Sequence, residues 1–200
     1  MKLHTAPLVL VLALSPAAYA GSDAAPATPP AGAAATPASA LTADQIADRV
    51  QAFYDKTLTF QADFKQRYTI KAYDRTKDSR GKVVFEKPGK MSWHYTTNGN
   101  RVVADGKTLR VYEDENKQMY EQPMAESQYP AALSFLLGGA SIKKSFSLHK
   151  LDATRAKFEN GWVLVGEPKE PMPADLKILL YIDSKTCHVR RVMLIDAQGN

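Results

Sequence analysis

The sequence predicts a mainly β protein with some α structure, in which two apolar helices lie across the concave face of one antiparallel sheet. The first observation is an alternation of apolar and polar residues, with a period of two, that begins at Phe60 and recurs along the chain. The second is that turn dipeptides such as Pro88-Gly89 and Asn98-Gly99 separate the alternating runs, as they do between hairpin strands. The third is that only two segments have helical spacing, too few to cover both faces of a sheet. We therefore expect the sheet to curl around its apolar face.

The composition is that of one globular domain. Of the 200 residues, 44% are hydrophobic and 24% charged, which is enough for a packed core. Lys and Arg outnumber Asp and Glu by 26 to 21 without a long basic run, so an anionic partner or surface is favoured but not identified. The single cysteine excludes an internal disulfide framework, and the four histidines are scattered. We expect no metal site and no cofactor.

The first 40 or so residues have the organisation of an export signal and a spacer. In residues 1–20, a lysine precedes the apolar run 8–14, and Ala18-Tyr19-Ala20 supplies a small-x-small cleavage site. A membrane helix would need about 20 uninterrupted apolar residues, and prolines interrupt this run. No cysteine follows it for acylation, so we expect a soluble periplasmic product. The chain then divides into a signal peptide, an Ala/Pro-rich flexible spacer at 21–41 and a folded domain at 42–200.

Two helices are predicted in the domain. Thr42 followed at the third position by Gln45 is a capping box, and the apolar residues that follow at helical spacing predict a helix over 42–57. A second apolar segment, at 130–138, has Pro near its start and Gly near its end, which is typical of a short helix.

One face of the predicted sheet is apolar and aromatic. Such a face is either a filled core or a binding site for an apolar ligand, and the periodicity leaves both open. The helices would lie over this face as a lid. The residues that the alternation places on it are Phe60, Phe64, Tyr68, Val83, Phe85, Met91, Trp93 and Tyr95.

Lys87 is the charged residue that the alternation places at the edge of this face. Its ammonium group can point into the concavity and bond to the lid, or it can extend to water as strand-end lysines do. In the second helical segment, Leu133, Leu136 and Leu137 are the candidates for filling the concavity when no ligand is present.

Catalysis and nucleic-acid binding have little support. Ser134 and His149 are candidates for a nucleophile and a base, but no Gly-x-Ser-x-Gly motif surrounds the serine and no acid is placed beside the histidine. We therefore expect no enzymatic activity and assign no catalytic residue. The basic residues are scattered and lack the aromatic stacking platform of single-strand binders, so no nucleic-acid partner is expected.

Three stretches of the domain share the sequence pattern of a known family. They are residues 60–66 (FQADFKQ), 81–95 (GKVVFEKPGKMSWHY) and 103–112 (VADGKTLRVY). In their order and spacing they resemble the periplasmic outer-membrane lipoprotein carrier proteins, the LolA family. The resemblance covers about residues 42–200 and is strongest over 60–112.

This resemblance implies an incomplete, half-open antiparallel β-barrel with a helical lid over its concave face. It implies a monomeric periplasmic carrier that shields the acyl chains of lipoproteins in an apolar cavity and moves them from the inner to the outer membrane. The implied partners are acylated lipoproteins, an inner-membrane lipoprotein-releasing ABC transporter and an outer-membrane lipoprotein acceptor. The alternative is a regulatory domain on the same fold that senses envelope lipids or lipoproteins.

The sequence departs from the family pattern at two places. Where the family has an arginine that bonds to the lid, this chain has Lys87, whose ammonium group lacks the planar five-donor fork of a guanidinium group. Lid closure is therefore expected to be weaker or made differently. The family also continues with a further strand after the turn at 196–200, so one rim of the barrel stays undefined in this sequence.

Overall fold

The computed structural model describes residues 11–16, 41–124, 135–138, 141–170, 177–196 and 199–200. Their eleven strands form one antiparallel sheet in the order β7-β6-β5-β4-β3-β2-β1-β11-β10-β9-β8, which does not close between β7 and β8. The predicted class, a mainly β open barrel with helices, is confirmed. The strands are β1 (Val11–Pro16), β2 (Thr59–Ile70), β3 (Arg75–Glu86), β4 (Lys90–Tyr95), β5 (Arg101–Asp105), β6 (Thr108–Glu113), β7 (Gln118–Pro123), β8 (Phe146–Leu151), β9 (Gly161–Pro168), β10 (Lys177–Asp183) and β11 (Val189–Ile195).

The first helix, α1 (Ala43–Lys56), forms as its capping box predicts. The Thr42 hydroxyl accepts the N–H of Gln45 at 3.2 Å, and the Gln45 side chain accepts the N–H of Thr42 at 2.9 Å. These two bonds satisfy donors that the first turn of a helix leaves unpaired. One face of α1 is buried against the sheet, and its buried residues are Ile46, Ala47, Val50 and Tyr54.

The longest hairpin joins β2 to β3 over twelve residue pairs, from Thr59 opposite Glu86 to Ile70 opposite Arg75. In the middle of β2 the side chains alternate between exposed and buried, as the sequence predicts. The start of β3 differs from the expectation, because the strand begins six residues before Gly81, where the apolar alternation starts. Residues 75–80 are polar on both faces, so they carry no periodic signal.

Gly81 of β3 lies opposite Tyr95 of β4, in a position with no room for a side chain. A Cβ atom at this position would lie 1.9 Å from the carbonyl oxygen of His94 and 2.8 Å from the ring of Phe64. Only glycine therefore lets the Phe64 ring and β4 pack as closely as they do.

The second half of the sheet, β8 to β11, begins after a single helical turn, α2 (Ile142–Ser145), which is not one of the two predicted helices. Most of the predicted helix at 130–138 lies outside the described residues. Its last part, 135–137, is a single 3-10 turn that ends at Gly138.

The strand β1 belongs to the stretch that the sequence assigns to a signal peptide. It pairs with both β2 and β11, with Leu12 opposite Gln66 on one side and Val192 on the other. Cleavage of residues 1–20 stays a prediction. In the described part of the chain, no helix is both long enough and apolar enough to cross a membrane.

Candidate acyl-chain site

The concave face is built from aromatic rings on adjacent strands. The ring centroid of Phe64 lies 4.9 Å from that of Trp93, and Phe85 lies 5.8 Å from Trp93 and 6.0 Å from Phe60. The structure places all eight residues predicted for this face within the β2–β4 part of the sheet. Phe64, Val83, Phe85, Met91 and Trp93 are buried, while Phe60, Tyr68 and Tyr95 are half-buried.

Tyr54 of α1 connects the helix to this aromatic face. Its ring lies edge-on to Phe60 at 6.5 Å and to Phe135 at 5.3 Å. Its hydroxyl oxygen accepts the buried N–H of Val189 in β11 at 3.1 Å. Burial raises the pKa of Tyr54 to about 12, although the bond from Val189 acts in the opposite direction. The hydroxyl therefore stays neutral inside the apolar interior.

Lys87 lies between the two parts of the lid. Its Nζ donates to the carbonyl oxygen of Tyr54 near the end of α1. Its aliphatic chain passes over Gly138, where a Cβ atom would lie 3.2 Å from Lys87 Cδ. Gly138 also has φ +78°, which favours glycine. The structure thus directs the ammonium group of Lys87 toward α1 rather than toward bulk water.

The turn after β3 makes a second contact with the lid. The Gly89 N–H donates to the carbonyl oxygen of Leu137 at 3.2 Å. Phe135, Leu136 and Leu137 are buried. That Leu136 and Leu137 fill the concavity when no ligand is present stays a prediction. Leu133 and Ser134 lie outside the described residues.

Sequence reasoning missed three residues of this arrangement: Tyr54, Phe135 and Gly138. Tyr54 was visible as part of the apolar stripe of α1, and Phe135 belongs to the same apolar run as Leu136. Neither the backbone acceptor at Tyr54 nor the contact of Gly138 with Lys87 has any signal in the sequence, because both join segments distant along the chain.

The arrangement is suited to binding an apolar ligand. His149 lies on the exposed side of β8 with its Nε2 4.0 Å from Glu167, away from the aromatic face. Among the described residues, no group of three His, Cys, Asp or Glu side chains could hold a metal ion. The face therefore offers apolar contact area, and the lid segments cover it.

Comparison with known proteins identifies the family of this chain. The family model described as outer membrane lipoprotein carrier protein LolA matches residues 55–200. The chain therefore belongs to the LolA family.

Individual relatives carry the same description. An outer-membrane lipoprotein carrier protein of Nitrosomonas europaea is 31% identical over 151 residues, which cover 74% of this chain and 70% of the relative. One of Chromobacterium violaceum is 34% identical over 119 residues, which cover 58% of this chain and 54% of the relative. A crystal structure of a LolA superfamily protein from Nitrosomonas europaea superposes with a TM-score of 0.40 at 13% identity, covering 80% of this chain and 74% of that one.

Proposed function

We propose that this chain is a monomeric periplasmic carrier that shields the acyl chains of lipoproteins against its concave face while they cross from the inner to the outer membrane. The observation that carries the proposal is an aromatic face of the sheet that is covered by buried apolar residues of α1 and of 135–137. An inner-membrane ABC transporter would load the carrier, and an outer-membrane acceptor would receive the lipoprotein.

An acylated ligand and the lid compete for the same apolar face. Each CH2 group transferred out of water contributes about 0.8 kcal/mol, so one long acyl chain gains on the order of 10 kcal/mol. This gain is opposed by the apolar burial of α1 and 135–137 and by polar ties such as those from Lys87 to Tyr54 and from Gly89 to Leu137, which contribute roughly 0.5–3 kcal/mol each. Acyl chains on the face would replace the apolar contacts of the lid, and the lid would cover the face again after release.

The test is formation of a soluble complex with a purified acylated lipoprotein. We expect the acylated form to co-elute with the carrier in size-exclusion chromatography without detergent. The same lipoprotein with its acylated cysteine replaced by serine should elute separately. Co-elution of both forms would mean that the carrier recognises the folded part of the lipoprotein, and absence of both complexes would contradict the proposal.

A further inference from the structure

The far end of the β2–β3 hairpin projects beyond its neighbours in the sheet. β4 pairs with β3 only from Gly81 onward, and β1 pairs with β2 only as far as Arg67. Residues 71–78 at the tip are all exposed. The Lys71 N–H donates to the side chain of Asn200 at 2.8 Å, which ties the base of the tip to the turn after β11. The projection is therefore a supported ribbon with a free end.

Positive charge is concentrated on this ribbon. Residues 65–80 contain six cationic and two anionic side chains, in a chain whose net charge is +5. Arg67 is neutralised by Asp78, with N–O distances of 2.8 and 2.9 Å. Within the described ranges, none of the other five cations of the ribbon forms an ion pair. These five are Lys65, Lys71, Arg75, Lys77 and Arg80.

A cationic groove lies at the base of the ribbon. It has a volume of about 640 Å³, and its charged lining residues are Lys65, Arg67, Arg80 and Arg191 together with Asp78, which pairs with Arg67. Arg191 is held in place by stacking 4.8 Å from the ring centroid of Tyr181. Guanidinium groups arranged around a groove match the oxygens of a phosphate group, which they can bind through paired hydrogen bonds.

The tip carries an aromatic side chain among the charges. Tyr73 is 76% exposed and lies between Lys71 and Arg75. An exposed tyrosine flanked by basic residues is the combination found where proteins meet a lipid headgroup region, since the ring enters the interface and the cations stay with the phosphates.

We propose that the β2–β3 hairpin docks this protein on anionic phospholipid surfaces, with the cationic groove binding phosphate headgroups and Tyr73 entering the interface. The shape favours a membrane over an acidic protein. A stable protein interface needs about 1,000 Å² of buried area with complementary packing, whereas a two-stranded ribbon tip offers only a small contact. This inference does not depend on the cargo, because the tip and the lid lie at opposite ends of the hairpin. Lys87, which contacts the lid, follows Glu86 at the end where Thr59 pairs, and the tip begins eleven residues further along β2.

The experiment measures sedimentation of the protein with vesicles in the absence of lipoprotein. The full-length chain, which contains β1, is purified and mixed at low salt with phosphatidylcholine vesicles or with vesicles that also contain phosphatidylglycerol. We expect binding only to the second kind, and we expect high salt to abolish it. Each basic residue at a membrane surface contributes about a fivefold change in affinity, so R75Q/K77Q should weaken binding about 25-fold.

A matched variant removes two charges elsewhere. Lys144 and Lys185 are exposed, and K144Q/K185Q should bind the anionic vesicles within about twofold of the wild type. In Y73W, the new tryptophan should shift its fluorescence to the blue when anionic vesicles are added. Equal binding of the two double variants would overturn the proposal. So would absence of wild-type binding at low salt, which would leave an acidic protein as the partner of the hairpin.

Discussion

At the scale of single residues, two side chains join the lid to the barrel. Lys87 bonds to the backbone of α1 and passes over Gly138, while Tyr54 bonds to β11 through its hydroxyl. Both contacts link segments that are far apart in the chain, so their removal should change how the lid opens and closes.

Replacement of Lys87 by leucine should slow delivery of cargo. K87L keeps an aliphatic side chain over Gly138 but removes a charged hydrogen bond worth about 1–3 kcal/mol to the closed form. Because the empty, closed state is less stable, the variant should retain a lipoprotein longer. The measurement is transfer of a purified lipoprotein from loaded carrier to an outer-membrane acceptor.

The control for K87L is K90L in the same turn. Lys90 forms an exposed pair with Glu86 at 2.8 Å, which contributes little to stability. Wild-type transfer by K90L and slower transfer by K87L are expected. Equal rates for the two variants would assign lid closure to apolar contacts alone.

Tyr54 predicts a particular response to alkaline pH. Burial raises its folded-state pKa from 10.0 to about 12, so between these values the folded chain keeps a proton that the unfolded chain has released. Stability is therefore complete below pH 10 and falls as pH rises toward 12. Tyr95, whose pKa burial also raises to about 12, should contribute in the same window.

This response is checked by measuring the free energy of unfolding in urea, for the wild type and Y54F, at neutral pH and at about pH 11. At neutral pH the variant should lose about 1–3 kcal/mol, because the buried N–H of Val189 loses its acceptor. The further loss near pH 11 should be smaller than in the wild type, since the phenol of Tyr54 no longer titrates while that of Tyr95 still does. An unchanged alkaline loss would show that Tyr54 is not one of the titrating groups.

At the scale of helices and strands, the sequence predicts the elements that form through interactions between residues close together in the chain. The bonds between Thr42 and Gln45 start α1, and alternation assigns the middle of β2 to its correct face. The start of β3 at Arg75 and the exposed strand Gln118–Pro123 escaped prediction, because neither has an apolar face. Those strands form through pairing with neighbours, which a single stretch of sequence does not encode.

The close approach of β4 to β3 makes Gly81 intolerant of a side chain. G81A would place a methyl group 1.9 Å from the His94 carbonyl oxygen, so the strands must separate. We expect a loss of about 1–3 kcal/mol or more in the free energy of unfolding. S79A, two residues earlier on the same strand, is the control and should change stability by less than about 0.5 kcal/mol. Similar stability of both variants would contradict the close packing at Gly81.

At the scale of the whole molecule, the aromatic face and a helical cover over it were predictable, but the contacts that hold the cover in place were not. The eight residues predicted for this face, of which Phe60 is the first and Tyr95 the last, share one side of the sheet because alternate residues of a strand point to the same side. The contacts of Lys87 depend on where α1 and the segment before Gly138 cross the sheet. Whether the apolar face is a core or a binding site was open for the same reason, since in the closed form the lid fills it.

A charge on the concave face should prevent loading. F85E would place an unpaired carboxylate at a buried position, whereas V84E changes the next residue, which points outward and is 41% exposed. We expect F85E to bind an acylated lipoprotein at least about tenfold more weakly and to be less stable. V84E should load normally. Equal loading of the two variants, measured in folded protein, would place the acyl chains elsewhere.

Site-specific photocrosslinking tests whether the acyl chains of a lipoprotein bind to the concave face, because it reports where they lie in the loaded carrier. A benzophenone amino acid replaces Phe60, which is half-buried at the edge of the lid, or Gln61, which is exposed on the other face of the same strand. After irradiation in the presence of an acylated lipoprotein, we expect a crosslink to the acyl chains from position 60 and none from position 61. Crosslinking from position 61 alone, or from neither position in a carrier shown to be loaded, would contradict it.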